Sequence, residues 1–392
     1  MKPKKNRLLF LIISGIGLYL VTTGISYAVF NYITPQSIIT TPVSQLPVKE
    51  GGFRVDLSAP KTEACPLNGQ MFTSAEKDIW SKRRPLNVMI ENHEEARPQS
   101  GLSRADIVYE AVAEGGITRF IAVYYCGAGA KDVMVGPVRS ARTYFLDFAS
   151  EYADFPLYAH VGGANTPGPA NALGQIIDYG WRLRNDLDQY SFSFKTFWRD
   201  EARLGREVAF EHTMYSTTDK LFDAGEQRGF TNVDNSEKAW DRNFVKWSFK
   251  DEAQEADRGT KSPSFSFWKG YDNYNVKWEY NSQTNDYGRI NGGKPHEDLN
   301  EKTQIRAKNI IVALMKESRA NDGYDNNLHL LYQTKGEGKM MLFLDGNVIE
   351  GTWSKKERKS RTIFKDNKGK EVKFDRGQIW VEVLPLGSEV NY

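Results

Sequence analysis

Apolar and polar positions change their rhythm three times along this chain, and each change marks a different kind of structure. From Leu8 to Ile33 no charged side chain occurs in 26 residues. As helix that run is about 39 Å long, enough to cross a hydrocarbon core of roughly 30 Å with some tilt. Residues 34–84 lose all period. TPQSIITTPVSQLPVKEGG, rich in Pro, Thr and Ser, buries too little to fold alone and predicts a linker. From Arg84-Pro85 onward, short β-branched and aromatic runs predict strands at 86–92, 105–112, 117–125, 132–138 and 156–162. Helical spacing predicts helices over 140–153, with Ser140 as cap, over 169–180 and over 217–229.

After about residue 236 the pattern alternates with period two. SFSFW, NVKWEYN, MMLFLDGNVIEGTW and QIWVEVLP read as strands, with Asp345-Gly346 as a hairpin turn. KNIIVALM is a helix or a buried strand. The expected architecture is an α/β N-terminal ectodomain with a mixed sheet, then a smaller β-rich (α+β) C-terminal domain, behind one N-terminal transmembrane helix. The segments are 1–33 (basic tip and anchor), 34–84 (linker), 85–235 (α/β domain) and 236–392 (β-rich domain).

Charge sharpens the topology. Lys2, Lys4, Lys5 and Arg7 precede the apolar run, which keeps that end in the cytoplasm and places the bulk of the chain outside. A cleaved signal peptide is the competing reading, with Leu8–Val21 as its core and Ser26-Tyr27-Ala28 as a cleavage site. Taking those four cations from the 52 Lys and Arg leaves 48 against 50 Asp and Glu. A chain without basic excess outside its topology signal lacks the footprint of a nucleic-acid binder. Two cysteines, Cys65 and Cys126, could pair outside the cytoplasm, and are too few for zinc.

Candidate chemistry gathers at strand ends of the first domain: Glu91, His93, Arg97, Glu110, Glu114, Arg119, Arg139, Arg142 and His160, with Gly115-Gly116 and Gly162-Gly163 beside them. GPVRSARTYF puts Arg139 and Arg142 at a strand-to-helix junction, where cations oppose the helix dipole unless an anion sits there. The structural alternative is that these arginines pair with Asp106, Glu110, Glu114 or Asp147 and staple strand to helix. His93 and His160 have the same two readings, base or structural histidine. The sequence holds no G-x-S-x-G, H-E-x-x-H or P-loop.

The blocks ARPQSGL, EGGITRF and GPVRSAR, with FWRD (197–200), GGKPH (292–296) and GQIWVEVLP (377–385), resemble the DUF3048 family of YerB-like bacterial envelope proteins over roughly residues 85–385. Many members look like lipoproteins, whereas this chain has an uncharged span and no lipobox cysteine. Where the family pattern implies Pro-His-Asn-Leu-Tyr, this chain has Phe210-Glu211-His212-Thr213-Met214-Tyr215. A smaller likeness, RADIV (104–108) followed by PVRSAR (137–142), is similar to LytR-CpsA-Psr phosphotransferases. It implies Mg²⁺ on Asp106 and a polyprenyl-pyrophosphate on Arg139 and Arg142, although the Asp-Thr after the arginine is missing. Two functions follow as expectations. One is a membrane-anchored protein binding an anionic envelope glycan or lipid-linked precursor, with a protein partner on the second domain. The other is a phosphotransferase or phosphohydrolase with Asp106, Arg139 and Arg142 as its catalytic set.

Overall fold

The computed structural model describes residues 57–193 and 195–392. The expected anchor at 1–33 lies outside these residues; among those described, no helix is long and apolar enough to cross a membrane. The strands that carry the argument are β1 (Leu86–Glu91), β2 (Ile107–Glu114), β3 (Ile117–Tyr124), β4 (Leu157–His160), β5 (Asp186–Asp188), β6 (Val276–Asn281), β7 (Asp286–Asn291), β8 (Asn309–Met315), β9 (Gly336–Leu344), β10 (Asn347–Lys355), β11 (Ile363–Asp366) and β12 (Ile379–Pro385). Ten of them form one mixed sheet in the order β11-β10-β9-β8-β12-β2-β3-β1-β4-β5. β8, β12 and β2 run parallel, as do β1, β4 and β5, and the remaining pairings are antiparallel. β6 and β7 pair antiparallel in a second sheet.

Residues from both sides of the expected boundary at 235/236 therefore share one sheet, because β12 from the far end of the chain pairs in register with β2. KNIIVALM resolves as the strand β8. Its Ile310, Ile311 and Val312 are buried between β9 and β12, the setting in which β-branched side chains pack on both faces of a sheet.

The three expected helices form but are shorter than the period predicts, one more precedes them, and the described residues are mostly β. Helix α1 (Ser74–Trp80) is followed by α2 (Thr143–Ala149), α3 (Ala172–Asp178) and α4 (Thr218–Gln227). Ser140 caps nothing: α2 begins at Thr143, with Arg142 at the cap position in extended conformation and no side-chain capping bond. Every residue of α2 is buried, so packing holds this helix in place of amphipathic exposure. The expected strand 132–138 contracts to Met134–Val135, next to a cis Gly136-Pro137 bond.

The expected linker is shorter than 34–84. Residues 63–64 and 71–72 pair as strands, and Cys65, Leu67, Phe72 and Trp80 enter the core. Cys65 and Cys126 form a disulfide with a Cα–Cα distance of 6.0 Å.

Candidate functional site

Strand β2 begins just after Asp106 at one end of the sheet and runs to Glu114 at the other, and the two ends have different fates. At the first, both Asp106 oxygens are occupied. Oδ2 accepts from the backbone N–H of Tyr125 (2.7 Å) and Cys126 (2.9 Å), and Oδ1 from Gly127 N–H (3.1 Å) and Asn68 Nδ2 (3.0 Å). Burial pushes this carboxyl up to about 7, against the pull of those donors. Cys65, Asp106 and Cys126 cluster closely enough to suggest a metal site, but the two sulfurs are bonded to each other. Asp106 also lies about 26 Å from Glu114, taking 3.3 Å per strand residue. The expected magnesium and catalytic roles of Asp106 are therefore corrected: it pins the chain that leaves β3.

At the other end, β2 and β3 are joined by Gly115-Gly116 with φ of +55° and +77°, a two-residue turn that glycine adopts without strain. The Tyr271 ring lies on Gly116, where a Cβ would come within 2.2 Å of it. This turn delivers Glu114 and Arg119 to the segment 139–142. Arg119 Nη1 donates to Ser140 O (2.9 Å), and its Nη2 is 3.4 Å from Glu114 Oε2. Arg142 forms an ion pair with Glu114, and its Nη1 donates to Ala141 O (2.6 Å). Arg139 Nε faces Glu91 Oε1 at 3.2 Å, while Glu91 Oε2 is 2.8 Å from His212 Nδ1. His93 stacks on His212 with ring centroids 4.7 Å apart. Backbone pairing of Ala141 with Gly162 and of Val161 with Arg139 lays the Gly162-Gly163 turn beside the arginines.

Three guanidiniums thus share two carboxylates, and Glu91 also serves His212. Arg119 Nε, Arg142 Nε and the buried Tyr158 hydroxyl have no hydrogen-bond partner among the described residues. Burial holds the pKa of Arg119 and Arg139 below the usual arginine value, opposed mainly by Glu91. For Arg142 burial acts in the same direction, opposed by Tyr144, Tyr324 and Tyr158. Arginine keeps its proton regardless, so three guanidinium charges face two directly paired carboxylates, with Glu211 also acting on Arg139.

The remaining candidates go elsewhere. Arg97 donates to Asn92 and to Asn273 O, stacks over Tyr274 at 4.9 Å, and lines a separate cavity of about 360 Å³ with Arg206 and Lys294. Glu110 is fully buried in an ion pair with Arg289, and accepts from Thr118 and Asn92. His160 is buried with Nε2 2.6 Å from Asp186 and Nδ1 2.7 Å from Gly162 O. Burial, the largest influence, opposes charge on His160, but Asp186, Asp188 and the Gly162 carbonyl outweigh it and raise the pKa. Ligand roles for Arg97 at the arginine cluster, and for Glu110 and His160 anywhere, are thereby corrected to structural ones. His93 stays at the edge of the cluster, its Nδ1 accepting from Glu95 N–H.

Sequence reasoning missed the aromatic residues near the cluster. Tyr190 and Phe210 lie in single 3-10 turns and Tyr324 in a loop, segments too short for any period to mark them.

The matched family models define the class of protein to which this geometry belongs. Residues 72–231 match "Protein of unknown function (DUF3048) N-terminal domain", and residues 266–381 match the corresponding C-terminal domain. The chain belongs to the DUF3048 family. Among relatives, it is similar to a Bacillus subtilis (strain 168) protein named "Putative lipoprotein YerB", 30% identical over 316 residues, covering 78% of this chain and 82% of the relative. It is also similar to the crystal structure of YerB protein from Bacillus subtilis, with a TM-score of 0.67 and 25% identity, covering 84% of this chain and all of that one.

Proposed function

We propose that this protein is a membrane-anchored, extracytoplasmic binding protein of the cell envelope, and that Arg119, Arg139 and Arg142 together hold one carboxylate or phosphate of an envelope ligand. The observation that carries the reading is the charge balance: three buried or half-buried guanidiniums, two carboxylates, and N–H groups left without acceptors. A bound anion supplies the missing acceptors through charge-assisted hydrogen bonds. Location is supported by the uncharged run 8–33, by a relative named as a lipoprotein, and by a disulfide suited to an oxidising compartment. The phosphotransferase reading has lost its carboxylate, since Asp106 is occupied at the far end of β2.

The test is native mass spectrometry of the full chain extracted from membranes, wild type beside Arg139→Ala. Arg139 is partly exposed, and Glu91 keeps His212 as a partner when it is removed. An anionic adduct on the wild type that falls at least tenfold in the variant is the expected result, since one charged hydrogen bond contributes about 1.5–3 kcal/mol. The same occupancy in both sinks the reading.

A further inference from the structure

Three aromatic side chains stand unusually exposed, Tyr190 at 76%, Phe210 at 61% and Tyr324 at 45%, and each is tied to the arginine cluster. The Tyr190 ring packs against Gly162, where a Cβ would lie 3.3 Å from it, and Asp188 Oδ1 accepts from the N–H of both Gly162 and Tyr190. Phe210 is followed by Glu211, whose carbonyl accepts from Arg139 Nη1 at 3.4 Å. Tyr324 stacks on His329, in the segment whose Tyr332 ring packs 4.9 Å from Tyr144, two residues past Arg142.

Two of the rings are also held in place. The Arg199 guanidinium lies 3.3 Å from the Phe210 ring centroid and donates to the Phe210 carbonyl. Tyr324 stacks on His329 at 4.1 Å with 4° between planes, and His329 is fixed by Asp322 at 2.7 Å. One face of each of these two rings is covered by its neighbour, while the side chain as a whole stays open to solvent. Exposed apolar surface has a cost that single scattered residues hide. Two fixed rings and the Tyr190 ring beside one cationic centre offer broad contact area, and the fixed pair has little entropy left to lose on binding.

Rings of this kind, next to guanidiniums, match a ligand with flat C–H faces, hydroxyl groups and one anion. We propose that the cluster takes an acidic saccharide, its carboxylate or phosphate on Arg119, Arg139 and Arg142 and its pyranose rings against Tyr190, Phe210 and Tyr324. This rests on the anion reading above and adds the chemical class of the ligand.

Calorimetric titration of the full chain in detergent tests it, with acetate, inorganic phosphate, glucose, glucuronate, glucose 1-phosphate and N-acetylglutamate as probes. Glucuronate or glucose 1-phosphate should bind at least tenfold more tightly than acetate or phosphate, and glucose alone not measurably. Which of the two sugar anions binds tells carboxylate from phosphate. Tyr324→Ala and Tyr190→Ala should reduce the sugar anion to the affinity of the bare anion, leaving acetate and phosphate binding unchanged. Sugar anions that bind no better than bare ones overturn the saccharide assignment while the anion reading stands. N-acetylglutamate binding as tightly as glucuronate overturns it in favour of a peptide. Acetate and phosphate affinities unaffected by Arg139→Ala overturn the anion reading itself, and the saccharide assignment with it.

Discussion

Replacing Arg289 by Met should destabilise this protein by about 3–5 kcal/mol, the range for removing one partner of a buried ion pair. Arg289 on β7 is fully buried, paired with Glu110 of β2, and hydrogen-bonded to His296 Nδ1 at 2.7 Å. Its guanidinium lies between the rings of Trp380 (4.8 Å), Phe120 (5.5 Å) and Trp278 (5.5 Å). Met fills the stem's volume but removes the cation paired with Glu110, leaving it the uncharged donors Asn92 and Thr118 and the neighbouring Glu382. The nearby Glu382 does not add a second charge, because burial, and then the charge of Glu110, raise its pKa well above the usual carboxylate value. The loss therefore comes from one uncompensated carboxylate. Glu110→Gln added to Arg289→Met should recover about 2 kcal/mol by removing that charge, whereas Glu382→Gln alone should cost under about 1 kcal/mol. Urea unfolding read by tryptophan fluorescence measures all four proteins, with the slope checked for constancy. A loss below about 1 kcal/mol, or a double variant no more stable than the single, refutes the reasoning.

Other outcomes follow from the same contacts. His160 has a raised folded pKa, so its stabilisation is complete below the unfolded value of about 6.5 and disappears as pH rises through the folded one. His160→Asn should flatten that part of the stability–pH curve, and an unchanged curve would remove the Asp186 pairing from the account. His296 is the opposite case. Burial, then Arg289 and Arg97, hold it well below 6.5, so folding excludes a proton and stability falls as pH drops through that value; His296→Gln should lessen the fall. Asp106→Asn should cost about 1–3 kcal/mol by turning an amide toward backbone donors while leaving ligand affinity untouched, and lost affinity with intact folding would return Asp106 to the site. Replacing Cys65 and Cys126 together by Ser should lower stability by about 4 kcal/mol on chain entropy for cysteines 61 residues apart, read as a shift in urea midpoint.

Much of the site was legible in GPVRSAR and EGGITRF, because strand ends and a glycine turn are local features. Arg119, Arg139, Arg142 and Glu114 do meet. Glu110 and His160 stand in the same kind of context, yet they are buried in pairs with Arg289 and Asp186. No local pattern distinguishes a carboxylate whose partner lies 179 residues away. The helix expected over 140–153 forms, but starts late for a related reason. Arg142 is drawn back onto Glu114 in extended backbone, so the helix starts only at Thr143.

By itself the sequence determined the family, the uncharged N-terminal run, most strands of the first half and the arginine pair, since each is written in spacing or in contiguous residues. Tertiary structure alone decided which charges are neutralised. It inserted β12 beside β2, brought Arg289 onto Glu110, and left Tyr190, Phe210 and Tyr324 exposed. Charge balance and ring placement are sums over neighbours in space, and chain order does not record those neighbours.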